Sequence, residues 1–179
     1  SDVSKIQELT SVIINQTAST ISTITMNSFY GCIGLTSIII PNLVTSINDS
    51  AFMGCTGLTS ITIPNTVTII GTSAFSGCTV LPNIFIPYNM ETIGESAFSG
   101  CPALIDVIIQ RPLNIITVAT NSFTDVVSNI NGSTIEFHNT ASISNLTPIW
   151  QTIATYYATQ TYYNGYVLNA TSPNFVLTQ

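Results

Sequence analysis

Four cysteines are the residues best placed by type to do chemistry: Cys32, Cys55, Cys78 and Cys101. Thiols can hold a metal or form disulfides. A metal needs ligands that converge on one point. These four are instead 23 residues apart. On stacked strands, residues in one phase form a column with one member every ~4.8 Å. Neighbours in such a column are close enough for a disulfide, but their side chains run parallel and do not face each other. The pattern fits a column of small buried thiols filling a corner.

Other candidates are sparse. His138 is the single histidine, and no motif places a nucleophile beside it. Glu91 and Glu95 are four apart, but the equivalent positions one period earlier are Thr68 and Thr72. The carboxylate pair is therefore not repeated and belongs on a solvated turn. Phosphate-loop, dinucleotide, zinc-protease and serine-hydrolase signatures are all absent from the sequence. The expectation is a protein that is not an enzyme, with no catalytic, cofactor or metal residues.

The cysteines belong to a longer repeat. Phe29, Phe52, Phe75 and Phe98 share their 23-residue spacing, and so do Ile40, Ile63, Ile86 and Ile109. Each unit reads A-F-x-G-C, then L-x-x-I-x-I-P. A period held this strictly is the signature of a solenoid. The L-x-x-I-x-I segments are short, alternate with period two and are rich in β-branched residues, which predicts strands. They start at Leu9, Leu35, Leu58, Leu81 and Leu104, with a degenerate sixth at 134–137. Proline ends the second, third and fourth, where its missing N–H does no harm to a ladder. The return halves carry apolar pairs three apart, such as Val44/Ile47 and Val67/Ile70, suited to a one-turn helix or an extended turn. Gly31, Gly54, Gly77 and Gly100 supply permissive backbone at the corner.

Composition narrows the class. Hydrophobic residues make up 45% of the 179, enough to fill a core, while only 6% are charged, against roughly 25% in an ordinary soluble domain. Lys5 and Arg111 face eight acids, so the cationic surface that binds nucleic acid is missing. Insertion into a membrane is not expected either, since no apolar run nears the ~18 residues of a spanning helix. No signal peptide is visible, and the chain starts at Ser1, as a processed chain or a fragment does. Five N-x-S/T sequons fall at Asn15, Asn48, Asn131, Asn145 and Asn169, as chance alone yields in so Asn- and Thr-rich a chain. Low charge with abundant Thr and Asn leans toward an extracellular, cell-surface or virion protein.

The ends depart from the repeat. Residues 1–8 read as a polar lead-in without repeat features. After His138 the period is lost. Residues 145–157 read as a short helix with Thr147 as N-cap and Pro148 at its first position. Trp150, Ile153 and Tyr157 would seal the last rung. Tyr166–Leu168 and Asn174–Leu177 read as short strands against that cap. The division is thus a solenoid over 1–138 and a cap over 139–179.

The motif A-F-S-G-C-x-x-L-x-x-I-x-I-P resembles the BspA-type (Treponema pallidum-like) leucine-rich repeats over residues 9–137. That resemblance implies a right-handed leucine-rich-repeat arc of 23-residue rungs, with a parallel β-sheet on the concave face and an irregular convex side of short turns. It further implies a surface or secreted protein acting as an adhesin or protein-binding module. Giant viruses encode similar repeats. In L-x-x-I-x-I the residue between the inward isoleucines points outward: Ile13, Ile39, Thr62, Phe85, Ile108 and Glu136. Two residues earlier lie Ser11, Ser37, Ser60, Asn83, Asp106 and Thr134. An apolar column beside a small polar column on an exposed sheet suits a partner surface. The expected ligand is a protein or glycan held on that face. The alternative is a structural component of a virion or extracellular assembly, self-associating through the Tyr-rich tail.

Overall fold

The computed structural model describes residues 10–14, 21–109, 117–119, 121–123, 135–139, 167–169 and 174–178. The L-x-x-I-x-I segments form β1 (Ser11–Ile13), β3 (Ser37–Ile39), β5 (Ser60–Thr62), β7 (Asn83–Ile86), β9 (Asp106–Ile109) and β11 (Ile135–Asn139). They stack in parallel as one wall, in two sheets. One sheet runs β1-β3-β5; the other continues from β7 through β9 to β11. The break has a chemical cause. Thr36 N–H donates to Thr10 O at 2.9 Å, Thr59 N–H to Thr36 O at 3.0 Å and Ile105 N–H to Pro82 O at 3.0 Å. Pro82 takes that place in the fourth rung and has no N–H to give Thr59.

The return halves hold a second wall where short irregular turns were expected. The strands β2 (Thr23–Ile24), β4 (Ser46–Ile47), β6 (Ile69–Ile70), β8 (Thr92–Ile93) and β10 (Thr117–Val118) form a five-stranded parallel sheet in the order β10-β8-β6-β4-β2. Each is two residues long. One faces in and the other out, so Ile24, Ile47, Ile70 and Ile93 are buried. Of the two local forms the sequence allowed, the extended one wins. The β-branched isoleucine favours it, and so does pairing on both sides.

The A-F-x-G-C corners join the walls. Phe29, Phe52, Phe75, Phe98 and Phe123 stack as a ladder with ring centroids 5.0–5.3 Å apart and planes within 9° of parallel. The rung height sets that spacing. Each corner holds two left-handed residues. The glycines at 31, 54, 77 and 100 have φ of 68–74°, as expected. Asn27, Ser50, Ser73 and Ser96 have φ of 53–59°, which nothing in the sequence reading anticipated. Alternate corner amides donate toward the following rung, Phe52 N–H to Ala74 O at 2.7 Å and Gly54 N–H to Ser76 O at 2.8 Å, while those between bond within their own corner, as Met53 N–H does to Ser50 O at 3.2 Å. Wall amides donate backward, as Gly71 N–H does to Ile47 O at 2.8 Å.

The core between the walls is a set of columns. Leu35, Leu58, Leu81 and Leu104 fill one; Val44, Val67 and Met90 another; Ala51, Ala74 and Ala97 a third, all fully buried. At the far end β13 (Asn174–Thr178) pairs antiparallel with β11, and β12 (Val167–Asn169) pairs with β13. These two strands match those expected in the tail, but they extend the sheet itself. The helix expected over 145–157 lies outside the described residues. The sixth strand also corrects the sequence register. Glu136 pairs with Asp106 and His138 with Ile108, so Glu136 belongs to the polar column, and His138 stands where Glu136 was expected. His138 lies 30 residues after Ile108, against 23 in a regular rung, so the repeat period does not set this register.

Candidate functional site

The sheet of β1, β3 and β5, continued by β7 and β9, sets out the columns by register. Ser11, Ser37 and Ser60 align, as do Ile13, Ile39 and Thr62. In the other sheet Asn83 aligns with Asp106 and Phe85 with Ile108. Strand parity decides direction. In β7, Ile84 and Ile86 are buried while Asn83 and Phe85 are exposed. In β3, Ile38 is buried between exposed Ser37 and Ile39. Ser60 and Thr62 are likewise exposed, and Ile108 is half-buried. For Ile13 and Asp106 the strand positions are fixed by backbone pairing.

Ile39 is 58% exposed and Phe85 40%. That is high for a large apolar side chain on a regular sheet. Leu43 and Tyr88, each soon after a strand-ending proline, are also exposed. The sequence reading passed over both. The signal was there: the third rung carries Asn65 and Thr66 at those phases, so the apolar choice in the second and fourth rungs is not imposed by the repeat. Hydroxyls line the near edge of the strands. Thr36 Oγ1 donates to Thr10 O at 2.7 Å and Thr59 Oγ1 to Thr36 O at 3.1 Å.

The cysteines prove to be internal. All four are buried free thiols. Cys55, Cys78 and Cys101 each donate Sγ–H to the carbonyl of a phenylalanine in the preceding rung, Phe29, Phe52 and Phe75, at 3.1, 3.4 and 3.2 Å. Burial, with Cys32 adjacent, pushes the Cys55 thiol up to about 12. The Cys101 sulfur beside it, then burial, raise Cys78 well above the ordinary thiol range. At Cys55 and Cys78 thiolate, the reactive form, is thereby suppressed. Glu91 and Glu95 are exposed; Glu95 accepts from Asn121 Nδ2 at 2.9 Å.

Residues 4–131 match six copies of the BspA type leucine rich repeat region. The chain belongs to the BspA-type leucine-rich repeat family. Its solenoid is similar to solved structures of such proteins. The leucine rich repeat protein of T. pallidum is 29% identical over 65% of this chain and 55% of that one, with a TM-score of 0.60. A leucine rich cell surface protein of Faecalibacterium prausnitzii is 27% identical over 82% of this chain and 35% of its own, with a TM-score of 0.66. The pneumococcal vaccine antigen PcpA, 18% identical over 78% of this chain and 32% of its own, shares the fold at a TM-score of 0.61. This BspA-type chain thus spans between about a third and just over half the length of these proteins. Comparison with curated proteins gives no match.

Proposed function

We propose that this BspA-type repeat is a non-catalytic recognition module, holding a protein or glycan partner on the outward face of the long-strand wall. The face comprises Ile13, Ile39, Thr62, Phe85 and Ile108 flanked by Ser37, Ser60, Asn83 and Asp106. One observation carries the reading. Phe85 and Ile39 stand exposed on strands whose neighbouring residues are locked in the core. A rigid scaffold that displays large apolar groups beside small hydroxyl and amide groups is a ready partner surface. The adhesin-like role and the surface or extracellular location draw support from the cell-surface description of the Faecalibacterium protein. Residues 1–138 act as solenoid and 139–179 as its cap, a division that the antiparallel β13 supports.

The test is a pull-down from intact source material with immobilised protein, unmodified and as Phe85→Asp. The unmodified chain is expected to retain a partner that Phe85→Asp loses. Equal capture by both would sink the reading. Light scattering at micromolar concentration adds a second arm: a monomer fits a recognition module, and an obligate assembly would replace it with the structural reading.

A further inference from the structure

The register of β11 against β9 brings together three residues whose types can hold a cation. Val107 is fully buried, so by strand alternation Asp106 and Ile108, on either side of it, share the outward face. Phe137 pairs with Val107, Glu136 with Asp106 and His138 with Ile108. Glu136 and His138 therefore lie on the same face as Asp106. Asn83 precedes Asp106 in that row, and it is exposed. In the columns expected from sequence, Thr134 follows Asp106 and Glu136 follows Ile108, so the two carboxylates are not neighbours. The observed pairing makes them so, with the single histidine of the chain two residues further along β11.

The spacing suits a small metal ion. Adjacent strands lie ~4.8 Å apart, and residues two apart on one strand ~6.6 Å. A tetrahedral zinc ion binds carboxylate oxygen and imidazole nitrogen at ~2.0–2.2 Å, which sets its ligand atoms ~3.3 Å from one another. Two positions on one strand and a third directly beside them on the next form a triangle small enough for Asp, Glu and His to serve one ion. Charge points the same way. The chain has only eight acidic residues, yet two of them stand side by side here. Like charges directly opposite destabilise a sheet. The two basic residues, Lys5 and Arg111, belong to no described strand. A divalent cation offsets both carboxylates at once. The imidazole nitrogen selects among cations, because calcium and magnesium take oxygen ligands whereas zinc and its neighbours take both. We propose that Asp106 of β9 with Glu136 and His138 of β11 forms a site for a first-row divalent cation of the zinc type. Three protein ligands leave the fourth position of such an ion open to water or to a group from outside. The site adjoins the proposed recognition face, but its cation binding needs no partner.

Calorimetric titration of zinc chloride into the chelator-stripped full chain tests this. One zinc per chain is expected. Asp106→Asn, Glu136→Gln and His138→Ala are each expected to weaken binding by at least about tenfold. Glu91→Gln, at an exposed carboxylate just before β8 on the other wall, should bind as the unmodified chain does. Absence of saturable zinc binding would overturn the proposal. So would an affinity unchanged in His138→Ala, the mark of a carboxylate patch without the imidazole, or equal weakening by Glu91→Gln. Cobalt in place of zinc reads the geometry in the unmodified chain, free of any question about variant folding. The strong visible absorption of four-coordinate cobalt is expected, and the weak spectrum of the hydrated ion would contradict the site.

Discussion

The corner and the long-strand wall are built from the same repeat and use it in opposite ways. At the corner, Phe52, Phe75 and Phe98 are identical and fully buried, and so are Cys55, Cys78 and Cys101. On the outward column of the wall the side chain varies, from Ile39 to Thr62 to Phe85 to Ile108. A corner residue stacks on a copy of itself one rung away, so any change breaks two contacts. An outward wall residue has solvent on one side and little to lose. Strict repetition of the buried columns marks scaffold, and the variation from Ile39 to Ile108 falls on the face we propose for recognition.

The comparison breaks most visibly if a corner column can be altered cheaply. Phe75→Ala removes a ring held between two others, and should cost about 3–5 kcal/mol, read from the denaturant midpoint. Gly94→Ala would put a Cβ 2.6 Å from the Gly71 carbonyl carbon. Its cost should rival that of Phe75→Ala, because backbone cannot step aside as a side chain can. Gly77→Ala, at φ +74, should cost about 1–2 kcal/mol.

The thiol column sharpens the same contrast through pH. Folding holds the Cys55 pKa at about 12, above the ordinary 9.0. The folded state therefore keeps a proton that the unfolded chain releases. This contribution is whole below pH 9 and is lost as pH rises toward 12, so the Tm should fall across that window. A cysteine-free chain, with alanine at all four positions, should lose that part of the slope.

The wall should respond weakly. Pro82→Thr restores the N–H missing between β5 and β7, and should gain about 1 kcal/mol, one net hydrogen bond. Phe85→Asp should shift stability by no more than about 0.5 kcal/mol. A larger loss would place Phe85 with the scaffold and erase the contrast.

The sequence made the corner and the long strands legible because their phases are kept over four or more rungs. The second wall was not legible. Strands of two residues, such as Ser46–Ile47, are too short to show alternation, and the pair Val44/Ile47 fits a turn as well as a strand. The left-handed Ser50, Ser73 and Ser96 escaped because serine is not a residue that advertises positive φ. Their signal lay in the recurrent Asn or Ser just before A-F or S-F. The register of β11 was missed because extra residues after Ile109 leave periodicity with nothing to count from. For the candidate site, parity alone placed Ile39, Thr62 and Phe85 outward, and the structure has all three exposed. Leu43 and Tyr88 lie beyond the strand ends, where parity no longer speaks.

Two equally exposed apolar residues give the sharpest measurement. Phe85 on the long-strand wall is 40% exposed, and Ile69 on the short-strand wall 42%. Phe85→Asp and Ile69→Asp therefore introduce the same charge at matched exposure on opposite walls. Affinity for the captured partner, measured for both against the unmodified chain, is expected to collapse for Phe85→Asp and to hold for Ile69→Asp. Equal affinities, or loss with Ile69→Asp alone, would contradict recognition through the long-strand wall.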